Sequence, residues 1–332
     1  ASLPPRLVLR EGVIPSPYHE QFAQYARTQF GRAVARRDMR NASHASSNDG
    51  ATPRIYGRSV MSLMDKYSFA KTLILSWTGH TPAHSFEPAL VEQTLIAGLT
   101  NGPGTISAQA AKLSASAGNE PHVAMIATLA AIGSVHGGNG QDAAVLMMDT
   151  FAATELADPY DLAMAPLVAK AAHDTAVAAA KRKRAARETD AAFERVPCLG
   201  HPVYKNDEVN YDPRERVITA FLASRKTYHA FLDFYHALAR GLYENGVTRN
   251  VLAVNVDAAI ACVWLGICWP LLTDKKITIE RVKRICLLAF ALGRAAGGTA
   301  EYLDHADYGL PMDMRIPVSA CETLTAPREV NG

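Results

Sequence analysis

From Val60 onward the apolar residues of this chain recur at three- and four-residue spacing, and no alternating run longer than a few residues lies between turn residues. PALVEQTLIAGL, HVAMIATLAAIGSV, GQDAAVLMMDTFAAT and VKRICLLAFALGRAAG all carry this period. It places one apolar stripe on each of a series of helices, and those stripes must be buried against one another, so the spacing predicts an all-α fold. With 332 residues, 48% of them hydrophobic, the chain can build one large core or two smaller ones.

Two segments frame that helical series. Residues 1–55 are polar and rich in Arg and Ser, and end in the turn-rich run SSNDGATPR, which predicts an extended or partly helical arm. Ala163–Arg187 reads as one long helix ending in Lys181, Arg182, Lys183, Arg184 and Arg187. Those cations suit a solvated helix terminus, where they complement the negative end of the dipole, or a contact with phosphates. RVPCLGHPVYKNDEVNYDPRER follows, too rich in Pro, Gly, Asn and Asp for a helix; a loop of that length inside a compact protein is usually functional.

Composition excludes several classes. Lys and Arg total 34 against 32 for Asp and Glu, a balance that argues against nucleic acid as the main partner. The five cysteines, Cys198, Cys262, Cys268, Cys286 and Cys321, form no CxxC pair and no cluster with zinc-ligand spacing, so no metal site is expected and a reduced cytoplasm is the expected compartment. Val251–Leu272 is long enough to cross a bilayer, but Asn255, Asp257 and Pro270 favour a buried helix; no secretory signal or membrane segment is expected.

Three polar clusters interrupt the helical runs. Val135-His136-Gly137-Gly138-Asn139-Gly140 is a flexible turn that admits close approach of a ligand to the backbone, and a histidine in it is either structural or catalytic. Gly200-His201-Pro202 is followed by Tyr211-Asp212-Pro213-Arg214, where Arg214 is either a fork for a carboxylate or an exposed residue of a helix-initiating turn. Asn255-Val256-Asp257 sits among VLAV and AAIACVWLGIC. Apolar surroundings should raise the Asp257 pKa, which suits a general base, although buried structural aspartates are also common.

Taken in order, these clusters resemble the citrate synthase superfamily. HGGNGQDAAVLM is similar to the family's HGGANEAVLKML, VPCLGHPVYKNDEVNYDPR to VPGFGHRVYKNYDPR with DEVN inserted, AVNVDAAIA to PNVDFYSG, and FALGRAAGGTAEYLD to FAMARTVGWIAHWSE. GLTNGPGTISAQAAKLSASAG, NVDAAI and LGRAAG also resemble the citryl-CoA lyase module of ATP-citrate lyase, and the resemblance runs from Ser62 to Leu310. It implies a large helical domain, 56–137 with 269–332, and a smaller helical domain, 138–268, inserted in it, with the active site in the cleft of a homodimer. It implies His136 as the histidine that stabilises a thioester enol, Asp257 as the carboxylate that removes the α-proton, and His201 as the histidine that polarises a keto carbonyl. Arg214 and Arg294 match carboxylate-binding arginines. Val196, Pro197, Cys198, Leu199 and Gly200 match the loop whose backbone reads the coenzyme A adenine, with Asn255 nearby.

Three positions depart from the pattern. Asn101 in LTNGPG stands where the family has the histidine of ADHE or ADHG, in a substrate-binding position; Pro202 replaces an arginine, and Glu301 replaces the histidine of AHWSE. The expected activity is condensation of an acyl-CoA, acetyl-CoA foremost, with a 2-oxo di- or tricarboxylic acid. The alternatives are cleavage of a citryl-CoA-like thioester and a non-catalytic ligand-binding or scaffold protein on the same fold. The coenzyme A thioester is a substrate in these readings, and no permanently bound cofactor is implied.

Overall fold

A computed structural model describes Gln24 and residues 41–133, 135–310 and 313–322, and its contacts divide the chain into two units, Ala1–Gly57 and Arg58–Gly332. In the first unit, the turn-rich run folds into a hairpin in which β1 (Ser46–Asn48) pairs antiparallel with β2 (Pro53–Ile55). Asn48 and Asp49 accept backbone N–H groups of the turn, which closes the four-residue connection. Three-residue strands carry no alternation, so periodicity alone read this stretch as loop. The rest of the expected arm, residues 1–23 and 25–40, lies outside the described residues.

The second unit is helical, as the spacing predicts. Its helices are α1 (Val60–Lys66), α2 (Phe69–Thr78), α3 (Glu87–Leu99), α4 (Ile106–Ser116), α5 (Pro121–Ala130) and α6 (Gly140–Phe151). Then come α7 (Ala165–Glu188), α8 (Pro213–Ser224), α9 (Ala230–Glu244), α10 (Val256–Thr273) and α11 (Ile279–Tyr308). Their starts follow the local chemistry. Ser68, Asp212, Asn255 and Thr278 each accept a backbone N–H of the turn they open, satisfying donors that the helix cannot. Pro213 takes the first helical position of α8, where its missing N–H costs nothing.

From Val256 onward the apolar run expected at Val251–Leu272 forms α10, a helix long and apolar enough to cross a membrane, of which 78% is buried inside the protein, while residues 251–255 are extended. It packs on α3, α6, α9 and α11, with Trp264 and Trp269 fully enclosed and Trp269 Nε1 donating to the Leu156 carbonyl at 2.8 Å. The buried-helix reading holds for this segment. Helix α11 in turn packs along α3, α4, α5 and α6, while α7 lies against α9.

Residues 191–212 contain no helix. The loop is nevertheless tied down. Gly200 N–H donates to the Ala253 carbonyl at 2.7 Å, Asn255 N–H to the Cys198 carbonyl at 3.2 Å, and Asn210 N–H to the Val251 carbonyl at 3.0 Å. Backbone pairing of this kind fixes loop residues as a strand would. It sets Val196–His201 beside the N-terminus of α10.

Candidate functional site

One cleft of about 810 Å³ is lined by every residue the sequence nominates: Asn101, His136, Val196, Pro197, Leu199, Gly200, His201, Arg214, Asn255, Asp257 and Arg294. They come from six places in the chain, so the fold has gathered them.

Asp257 stands in the first turn of α10, just after the Asn255 cap. Burial lifts its carboxyl to a pKa of about 6, against the pull of Arg214 and Arg294, which favour the charged form. The apolar run around it is what makes burial win. At neutral pH it is an ionised base with little solvation.

His136 is held by a tight turn: its N–H donates to the Gly133 carbonyl at 2.9 Å, and Gly133 N–H donates back to its carbonyl at 3.0 Å. Gly137 follows at φ +79°, and a Cβ there would fall 1.9 Å from Phe290 Cε1. Only glycine permits both that dihedral and that approach. The imidazole edge meets the Phe290 ring at 6.3 Å, and its Nε2 lies 2.8 Å from Oγ of the fully buried Ser107. Burial, reinforced by Arg294, depresses its pKa. It is a neutral imidazole at pH 7.

His201 Nδ1 accepts N–H groups of Val203 at 3.1 Å and Tyr204 at 3.4 Å, so the ring proton belongs on Nε2. Tyr204 stacks on the ring at 4.4 Å. Burial lowers its pKa, with Asp212 opposing and Arg214 adding to the effect, which leaves it neutral as well. Nε2 lies 3.3 Å from Asn101 Nδ2. A ring N–H and an amide N–H so placed converge on one acceptor, and turning the amide over pairs them when none is bound.

The two arginines differ. Arg214 Nε and Nη2 reach the two carboxylate oxygens of Asp212 at 2.9 and 2.6 Å, and Asp212 is fully buried. Its Nη1 faces the Ala97 carbonyl at 3.4 Å. Arg294 is 3% exposed, stands over the Phe290 ring at 5.1 Å, and its buried Nε has no hydrogen-bond partner among the described residues. Burial and the neighbouring Arg214 weaken its hold on the proton. An unpartnered buried guanidinium at a cleft wall is a ready anion site.

Sequence reasoning passed over Ser107 and Asp212 as functional positions. Ser107 precedes its histidine by 29 residues and lies in no polar cluster. Asp212 read only as the helix-opening residue of α8, which it also is. A second cavity of about 680 Å³ shares Arg195, Val196, Leu199, Gly200, His201 and Pro202 with the cleft, and adds Lys183, Lys205 and Arg249. Lys183, from the basic run of α7, also donates to the Val247 carbonyl at 2.5 Å. No group of three or more His, Cys, Asp or Glu able to hold a metal occurs among the described residues.

An enclosed base flanked by two neutral imidazoles, with a cation unpaired nearby, suits removal of a weakly acidic proton and stabilisation of the resulting negative charge. The family model for the citrate synthase C-terminal domain matches residues 42–309. Among solved structures, citryl-CoA lyase from Hydrogenobacter thermophilus is 22% identical with a TM-score of 0.63, the match covering 88% of this chain and 98% of that one. ATP citrate lyase from Methanothrix soehngenii, in complex with citrate and coenzyme A, is 19% identical with a TM-score of 0.66 over 95% of this chain. The Methanosaeta concilii ATP citrate lyase, in complex with (3S)-citryl-CoA, is 17% identical with a TM-score of 0.65, also over 95% of this chain. This chain spans 45% of the length of either ATP citrate lyase. No curated protein matches it in sequence. The all-α fold and the ordered motifs agree with these findings, and the chain belongs to the citrate synthase family.

Proposed function

We propose that this chain catalyses carbon–carbon bond making or breaking at the α-carbon of a coenzyme A thioester, with a 2-oxo acid as the second reactant. The observation that carries the reading is Asp257: a carboxyl raised to about 6, ionised at neutral pH, in one cleft with neutral His136 and His201. A thioester α-proton is only weakly acidic, so its removal needs a base on one side and a donor for the enolate oxygen on the other. Asp257 takes the proton and His136 donates to the thioester oxygen. For that donation Ser107 gives its hydroxyl hydrogen to Nε2, which places the ring proton on Nδ1. The converging donors of His201 and Asn101 receive the keto oxygen. Arg294 binds carboxylate. The loop Val196–Gly200 and Asn255 receive the coenzyme A nucleotide, whose phosphates meet the basic lining of the adjoining cavity, with Lys205 and Arg249.

The direct test is exchange of the acetyl-CoA methyl protons with deuterated solvent, read by mass spectrometry, with and without 2-oxo acids. Exchange that depends on the protein supports the reading; none with any acyl-CoA overturns it and favours a non-catalytic protein. Product analysis then gives direction: synthesis releases free coenzyme A, whereas cleavage of a citryl-CoA-like thioester releases an acyl-CoA. The exchange rate should rise with pH through about 6 and level off, because only ionised Asp257 accepts a proton. A profile flat from pH 5 to 8 would remove Asp257 from the role.

Ser107→Ala tests the His136 assignment. Loss of the hydroxyl frees the ring tautomer, so exchange should slow by roughly tenfold or more with the fold intact. Unchanged exchange would mean that Ser107 only fills space.

The homodimer expected from the resemblance belongs to the same proposal. Ile106 and Leu113 on α4 and Ile126 on α5 are 54%, 49% and 61% exposed, an apolar surface that a second copy would cover. Sedimentation should show a dimer.

A further inference from the structure

Asp207-Glu208-Val209-Asn210 is the insertion that separates this loop from the family run VYKNYDPR, and it helps to wall a cavity of about 180 Å³. Val209 pairs in parallel with Val251, Val251 N–H donates to the Glu208 carbonyl at 2.9 Å, and Asn210 N–H donates to the Val251 carbonyl at 3.0 Å. The Asn210 side chain, 6% exposed, uses both its polar atoms on the same join. Its Nδ2 donates to the Asp207 and Val251 carbonyls, and its Oδ1 accepts the Asp207 N–H. Asn210 is therefore frame, and the cavity's free chemistry lies elsewhere.

Val209, Ala239, Val251, Leu252 and Val254 give the cavity apolar walls. Among its described lining residues the charged side chains are Glu215, Arg216 and Arg240, with His236 beside them. Glu215 is 1% exposed, and its Oε1 is held by the Thr219 hydroxyl and by His236 Nε2 at 2.9 Å. Neither arginine forms an ion pair among the described residues. The Arg216 guanidinium rests over the Tyr211 ring at 4.6 Å, which holds it at the lining. With His236 neutral and Glu215 ionised, two guanidiniums against one carboxylate leave one positive charge over. One uncancelled positive charge among apolar walls suits an anion with a single carboxylate and a short aliphatic tail. The volume is that of about six water molecules, which admits about six heavy atoms.

We propose that this cavity is a second ligand site, which binds a short-chain aliphatic carboxylate at Arg216 and Arg240. It shares no lining residue with the cleft. It is nevertheless built on elements that carry cleft residues: the loop of His201, the first turn of α8 with Arg214, and the segment that runs through Asn255 into Asp257. That segment is also gripped by Gly200, whose N–H donates to the Ala253 carbonyl at 2.7 Å. A carboxylate held between α8 and α9 beside Val251 thus fastens the loop to the entry of α10. The site stands independently of the acyl-CoA reading, since nothing in it touches a thioester.

The test is calorimetric titration of the full chain with butyrate, with acetate and inorganic phosphate as comparators. Butyrate should bind about fivefold or more tightly than acetate, because two added methylenes meet the valine walls, and more tightly than phosphate. Arg216→Gln combined with Arg240→Gln keeps polar stems and removes the charges, so butyrate affinity should fall by about tenfold or more. Both arginines are exposed, so the double variant keeps the fold. Arg294→Lys alters the cleft and should leave butyrate affinity unchanged. Backbone hydrogen exchange gives a local reading: butyrate should slow the amides of residues 208–211 and 250–255 in the wild type and not in the double variant. No butyrate binding, equal affinity in the double variant, binding lost in Arg294→Lys instead, or phosphate held more tightly than butyrate each overturns the proposal.

Discussion

Asp257→Asn should lower acetyl-CoA proton exchange by about a hundredfold or more while leaving the helical fold and acid binding in place. Asparagine has nearly the same shape, so α10 and its Asn255 cap are undisturbed. What disappears is, among the described residues that line the cleft, the one carboxylate not exposed to solvent: Asp142, the other acidic residue in the lining, is exposed. The measurement is the exchange rate at saturating acetyl-CoA. A variant within a few-fold of wild type would mean that the proton leaves by another route.

The same substitution has a second, opposite consequence. A carboxyl whose folded-state pKa is raised from 3.8 to about 6 binds its proton more tightly in the native protein than in the unfolded chain. Its contribution is therefore favourable at low pH and is lost as pH rises from about 4 through 6, the reverse of a salt-bridged aspartate. Above pH 6 the ionised group destabilises the fold, so the neutral amide should raise stability at pH 7.5 by an amount on the order of 1–3 kcal/mol. A residue whose removal costs activity and improves stability is held in place by function. Urea unfolding of both proteins at pH 5 and pH 7.5 reads this directly, with the gap wider at the higher pH.

Much of this was legible in the residue order. The helical spacing foretold α3, α5, α6, α7, α10 and α11, the run marked by Pro, Gly and Asn is free of helix up to Asp212, with its last four residues opening α8, and Asp257 announced itself as a carboxylate in an apolar run. His136, His201 and Arg294 were found through the family's motifs, and the structure gathers them around one cleft. What one dimension hides is pairing between side chains from different elements. Ser107 reaches His136 only because α4 and the turn after α5 both pack beside α11. The unequal state of the two arginines is equally invisible in sequence, since both read as forks for a carboxylate until Asp212 is seen to occupy one of them. The β1–β2 hairpin escaped for a simpler reason: three residues are too few for a period of two to show.

The cleft also depends on a close helix contact, and two alanine substitutions at that contact should separate sharply. Helices α3 and α11 approach through Gly98, Gly293 and Gly297. At Gly297 an added Cβ would lie 1.7 Å from the Leu99 carbonyl oxygen and 2.6 Å from its carbon, both backbone atoms at the end of α3. The helices must part to admit it. At Gly98 the nearest atoms to an added Cβ are Gly293 Cα and the Phe290 carbonyl oxygen, each at 3.5 Å, which is ordinary van der Waals contact. Alanine is the better helix former by about 1 kcal/mol, so Gly98→Ala should be neutral or slightly stabilising. Gly297→Ala meets rigid backbone, and should cost a net of about 1–3 kcal/mol or more despite the same gain in propensity. The loss should extend to function, because Leu99 ends α3 two residues before Asn101, and Arg294 lies one turn before Gly297 on α11. Pushing α3 away moves Asn101 relative to His201 and to the guanidinium that line the same cleft. Urea unfolding and acetyl-CoA proton exchange on both variants give the answer. A Gly297→Ala protein as stable as wild type, exchanging acetyl-CoA protons as fast as Gly98→Ala does, would show that this contact has slack and does not position the site.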